Sequence, residues 1–256
     1  MPLIYSRKMT GKHRNQEANR HLGYFLAFIA GAINAGGFLA VHQYTSHMTG
    51  IVSSMADHLA LGLFRPVLAG LGVLLSFLIG AACSAVMVNY SRRRQLHSEY
   101  ALPLLLEAVL LLCFGLLGAK LSQIDGLFVS LTVMLLGFIM GLQNAVITKI
   151  SKAEIRTTHI TGIVTDIGIE LGKLLYWNRH HFPHAASVVA NRSRLTVLLL
   201  LAIFFFVGGV LGALGFKYIG YLATIPLACL LVLLAIVPVV DDMSVLFSSK
   251  KNGINK

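Results

Sequence analysis

The sequence predicts an all-α polytopic transmembrane bundle of six spanning helices. Two further short polar helices re-enter the membrane or lie at its interface, and the whole is an inverted internal repeat. Three observations carry this. Several apolar runs are about 20 residues long, enough to cross a hydrocarbon core of roughly 30 Å. The chain is 56% apolar and 12% charged, about half the charged share of soluble domains. Two sequence signatures recur in the same order in both halves.

Residues 1–21 read as a basic cytoplasmic tail, with no short apolar stretch and cleavage site behind it, so no cleaved signal peptide is expected. Spans are expected at Leu22–Val41, Val67–Tyr90, Ala101–Ala119, Leu127–Thr148, Leu195–Phe216 and Ile219–Val240, followed by a cytoplasmic tail over 241–256. One membrane domain, 22–240, holds two repeats at about 22–119 and 127–240. Two segments, His47–Gly62 and His159–Leu175, are shorter and more polar. Their helical length of roughly 24 to 26 Å is borderline for a crossing.

Charge decides between six crossings and eight, because basic loops resist translocation. With six spans and a cytoplasmic N-terminus, 18 of the 21 basic residues lie inside, and only Arg65, Lys120 and Lys217 lie outside. Letting the short segments cross as well leaves 14 inside and 7 outside. Six spans are therefore expected, in the cell inner (plasma) membrane with both termini cytoplasmic. The formal charge of +11 is then a topological signal, and no nucleic-acid partner is expected.

The repeat lies in two matched stretches. Ile29-Ala-Gly-Ala-Ile-Asn-Ala35 matches Ile139-Met-Gly-Leu-Gln-Asn-Ala145, and Ser46-His-Met-Thr-Gly-Ile-Val52 matches Thr158-His-Ile-Thr-Gly-Ile-Val164. Three crossings per unit insert the second copy upside down, the architecture in which transporters place a site near the midplane between discontinuous helices.

At these residues the chain resembles the YoaK-like family of bacterial multi-pass membrane proteins of unknown function. The resemblance covers roughly 22–240 and is most specific at His47-Met-Thr-Gly50, Gly141-Leu-Gln-Asn-Ala145 and Arg156-Thr-Thr-His-Ile-Thr-Gly162. It implies six spans and carries no substrate or reaction. Asn34 stands where such proteins often have an acid, and Ile51 where they often have Asn, which argues against proton coupling through Asn34.

The candidate substrate-binding residues are Asn34, Ser46, His47, Thr49, Gly50, Gln143, Asn144, Thr158, His159, Thr161 and Gly162. Ser46 and Thr158 read as N-caps of the short helices. If the two N-termini frame one pocket, their partial positive charge favours an anion or a carbonyl group; the plainer reading is a capped helix start with a glycine for close packing. Asp57, His58, Asp166 and Glu170 fall along the polar stripes of the short helices and form a candidate ion or proton relay. An interfacial amphipathic face is the alternative. Asn34, Asn144 and Gln143 equally suit hydrogen bonds between helices.

Glu107 is the lone acid of its run, expected to pair across helices or to snorkel. Cys83, Cys113 and Cys229 read as buried packing residues, and Gly208, Gly209, Gly212 and Gly215 as close helix packing, within the chain or between protomers of a homo-oligomer. His180, His181 and His184 match no zinc spacing and read as surface loop. No metal, cofactor or enzyme motif is recognised, and without an ATP-binding motif any active transport would draw on an ion gradient or a separate partner. The expected function is a secondary transporter or permease for a small-molecule or ion substrate. The alternative is a non-transporting membrane scaffold or partner subunit.

Overall fold

A computed structural model describes residues 16–41, 44–96, 98–121, 127–151, 155–177 and 187–253. The described residues form helices and short connecting segments, with no strand among them. The helices are α1 (Gln16–Val41), α2 (Met48–Ala60), α3 (Phe64–Arg93), α4 (Ala101–Leu121), α5 (Leu127–Ile150), α6 (Ile160–Leu175), α7 (Arg192–Ile219) and α8 (Thr224–Gly253). A 3-10 turn, Gly220–Ala223, joins the last two. Among the described residues, four stretches are long and apolar enough to cross a membrane: Gln16–Leu39, Phe64–Arg93, Leu131–Ile150 and Arg192–Val240. The last spans 49 residues, far beyond one crossing, and Gly220, at φ +60, breaks it into α7 and α8. Ala101–Leu116 is a shorter apolar helix. The chain is thus a multi-pass helical membrane protein. α8 continues past the expected tail boundary at 241, where the Asp242 carboxylate accepts the Ser98 N–H at 2.8 Å.

α1 and α5 form the centre. In each, 61% of the most apolar window is buried, against 22% in α3. The long helices are largely apolar on all sides, so their packing is directed by small residues more than by polarity. A Cβ on Gly208 of α7 would overlap the Phe28 carbonyl of α1, and one on Gly31 the Phe205 carbonyl. The counterparts behave alike: Gly80 of α3 abuts the Phe138 carbonyl of α5, and Gly141 the Phe77 carbonyl. Gly212 adds a contact with Ala32, so the glycine stripe of α7 serves packing within the chain. The first helix of each half therefore lies against the third helix of the other.

These contacts also fix direction. Gly23 faces Leu201 and Gly36 faces Phe216, so α1 and α7 run parallel. Gly72 faces Met134, Gly141 faces Phe77, and Lys149 Nζ donates to Asn89 Oδ1 at 2.8 Å, so α3 and α5 also run parallel. α1 and α5 oppose each other, since Gln143 Nε2 donates to the Leu26 carbonyl at 3.2 Å while Gly37 meets Leu136. α4 and α8 oppose each other too, with Gly115 against Thr224 at one end and Ser98 bonded to Asp242 at the other.

Two expectations are corrected here. Cys113 and Cys229 are exposed and only Cys83 is partly buried; an apolar thiol is tolerated on an outward face. Glu107 is fully buried, and neither carboxyl oxygen has a hydrogen-bond partner, so it neither pairs nor reaches a helix end. His180, His181 and His184 lie outside the described residues.

Candidate functional site

After α1 the chain turns back on itself. Asn34 Oδ1 accepts hydrogen bonds from the Thr45 N–H (3.1 Å), the Ser46 N–H (3.1 Å) and the Ser46 hydroxyl (3.0 Å). Asn34 lies seven residues before the end of α1, about 10 Å along the axis, so α2 starts well back from that end. α2 then runs outward beside the start of α3, with Ile51 and Met55 against Gly70, and reverses at Gly62, whose φ of +72 suits glycine. The latch to the short helix recurs in the second half with different atoms. Asn144 Oδ1 accepts the Thr158 hydroxyl at 2.7 Å, and Asn144 Nδ2 donates to the Met140 carbonyl at 3.0 Å.

Ser46 and Thr158 therefore latch each short helix to its preceding span and do not cap it. The N-cap residues are His47 and His159, neither making a side-chain capping bond. Each imidazole folds over the glycine three residues on. A Cβ on Gly50 would lie 2.6 Å from His47 Nδ1, and one on Gly162 would lie 2.9 Å from His159 Cδ2. This accounts for the spacing of the repeated signature: Ser or Thr latches, His starts the helix, and Gly makes room for the ring.

The two helix starts open onto one central cavity of about 530 Å³, within the range of ligand pockets. Both halves contribute equivalent pairs: Asn34 and Asn144, Ser46 and Thr158, His47 and His159, Thr49 and Thr161, Phe77 and Phe205. Tyr44, stacked on Phe38 at a centroid distance of 4.5 Å, also borders it. None of the lining side chains is acidic.

Two flanking cavities adjoin it, each sharing one histidine with the centre. The first, about 300 Å³, lies between α2 and the start of α3, past His47, and is lined by Gly50, Ser54 and His58. The second, about 520 Å³, lies between α6 and the start of α7, past His159, and is lined by Arg156, Gly162, Thr165, Asp166 and Arg194.

The expected relay residues do not meet in the centre. His58 Nδ1 bonds within α2 to the Ser54 carbonyl and hydroxyl, and Asp57 is exposed. Asp166 pairs with Arg194 at 2.9 Å. Glu170 is buried and accepts from Lys173 Nζ at 2.8 Å and the Asn191 N–H at 2.7 Å. Those bonds, the Lys173 contact foremost, hold its carboxyl below the ordinary glutamate range. Gln143 is buried between α1 and α5 and lines none of these cavities. Sequence reasoning missed Phe77 and Phe205 as lining residues, although a Phe-x-x-Gly spacing in the third helix of both halves marks them. It also left Arg156 and Arg194 out of the candidate site, although Arg156 opens one of the stretches that carry the resemblance.

The family model described as a protein of unknown function, DUF1275, matches residues 22–237. The UPF0700 transmembrane protein YoaK of Bacillus subtilis (strain 168) is 25% identical over 155 residues, covering 60% of this chain and 68% of that protein. No solved structure matches.

Proposed function

The chain belongs to the DUF1275 family, whose function is unknown, and from that premise we propose that it is a secondary transporter or permease for a small solute. The observation that carries the reading is the meeting of two short-helix starts at one cavity lined by paired polar side chains, flanked by a second cavity on each side. Polar groups grouped this way inside an apolar bundle mark a substrate path more readily than a packing need. The solute would sit between the two histidines, held by Thr49, Thr161 and the first-turn amides of α2 and α6. Asn34 and Asn144 would set the positions of those helix starts without binding the solute themselves. Catalysis has no part in this reading.

Six crossings in an inverted arrangement are supported by helix direction. Were α2 and α6 also to cross, three crossings would separate α1 from α5 and the two would run parallel; they run antiparallel. The same holds for α4 and α8. Positive charge then puts both termini on the cytoplasmic side of the cell inner membrane. On this reading the first flanking cavity opens outward and the second opens to the cytoplasm.

The test is sided labelling of the full chain with Cys83, Cys113 and Cys229 replaced. A membrane-impermeant maleimide should reach Ser54→Cys only from outside and Thr165→Cys only from the cytoplasm. Labelling of both from one face would overturn the inversion. Failure of both to react would leave a dry, non-transporting scaffold as the better reading.

A further inference from the structure

The two flanking cavities share a plan and differ in charge. Where the first is lined by Tyr44, Ser54 and Pro66, the second carries Arg156, Asp166 and Arg194 at the equivalent places. Since the first cavity forms without any of these charges, the fold does not require them. We propose that the second flanking cavity is a binding mouth for small anions bearing a carboxylate or oxyanion group, and that Arg156 is the residue that selects them. This deepens the transport reading and rests on it for water access.

Asp166 is already matched by Arg194 at 2.9 Å. Arg156 is exposed and has no carboxylate partner among the described residues, so the cavity holds a net positive charge. The start of α6, a 16-residue helix with no side-chain cap, adds a partial positive charge beside His159. Beyond His159 the central cavity offers no acidic side chain. An anion moving inward from Arg156 therefore passes from a fixed cation to two helix N-termini past one carboxylate, Asp166, that Arg194 already neutralises, whereas a cation finds no unpaired counter-charge on that path. In a low-dielectric cleft a net charge of one sign raises the local concentration of the opposite sign about tenfold or more. The competing account is that Arg156 is only a basic residue on an inner loop, placed by topology.

The full chain, cysteine-free apart from Thr165→Cys or Ser54→Cys, separates these. Each is treated with an anionic and a cationic methanethiosulfonate reagent, sulfonatoethyl and trimethylammonioethyl, and the rate ratio is normalised to that for a free thiol. The anion-to-cation ratio should be about tenfold higher at Thr165→Cys than at Ser54→Cys, and should fall as salt is raised. Arg156→Gln should collapse the difference and Arg156→Lys should retain most of it. At constant ionic strength, made up with a bulky sulfonate, acetate should slow the anionic reagent at Thr165→Cys and lose that effect in Arg156→Gln. Equal ratios at the two sites, or a ratio unmoved by Arg156→Gln, would overturn the anion mouth while leaving the transport reading standing. No reaction with either reagent at either site would overturn both.

Discussion

The starts of α2 and α6 follow one plan, whereas their flanks do not. Each start has an asparagine latch, a histidine N-cap and a glycine seat for the ring. Along the flanks, α2 keeps its polar stripe to itself through Ser54 and His58, while α6 spends Asp166 and Glu170 on Arg194, Lys173 and Asn191. What both halves keep is the geometry of the central cavity. What only the second half has is a charged clamp on the helix that follows, so the ionic stripe belongs to that side's surface and not to the shared site.

Four perturbations of matched positions probe this. The largest effect is expected from Gly208→Leu and Gly80→Leu, which force side chains into the Phe28 and Phe138 carbonyls. Overpacking of this kind costs about 1–3 kcal/mol or more, and both variants should lose monodispersity in size-exclusion chromatography. A mild result in one alone would break the equivalence of the two contacts. Next, Asn34→Ala removes the acceptor for three donors and Asn144→Ala for one. With about 1–3 kcal/mol per stranded buried group, the first should lower the melting temperature in detergent clearly more than the second, and equal shifts would contradict the latch.

Third, Gly50→Ala and Gly162→Ala should displace His47 and His159 with little loss of stability. They should change the labelling rate of Thr49→Cys in the central cavity several-fold, Gly50→Ala the more because its clash is closer. The smallest effect concerns acid. Glu170 has a lowered pKa in the folded protein, so its contribution is present above the unfolded value of about 4.3 and is lost as pH falls through the lowered one. Glu170→Gln should flatten that acid limb of the stability profile, while His58→Gln should leave it unchanged.

Much of this was legible beforehand. Helix positions followed from run length, and the two short helices from their polarity; the observed Met48–Ala60 and Ile160–Leu175 fall inside the segments read from sequence. The repeated signature marked residues that the structure brings to one cavity, yet Ser46 and Thr158 read as caps where they latch to the preceding span, because a hydroxyl near a helix start can face either the next amide or a neighbouring helix. Phe77 and Phe205 stayed hidden for a different reason. In lipid the inward and outward faces are equally apolar, so periodicity marks no face, and only glycines such as Gly80 and Gly208 betray which side is pressed against another helix. Glu107 could not be placed from sequence, since whether a lone acid finds a partner depends on helices far away in the chain.

The exchange of partners between halves bears on how the protein is made. α1 emerges from the ribosome long before α7, yet the surface its glycines are shaped for lies on α7, whose first residue is Arg192. For most of synthesis the Gly31 face has nothing but lipid or an insertion machine beside it. A truncated chain ending after the fourth helix would leave two such unfilled faces, on α1 and on α3, and separately expressed halves should find each other.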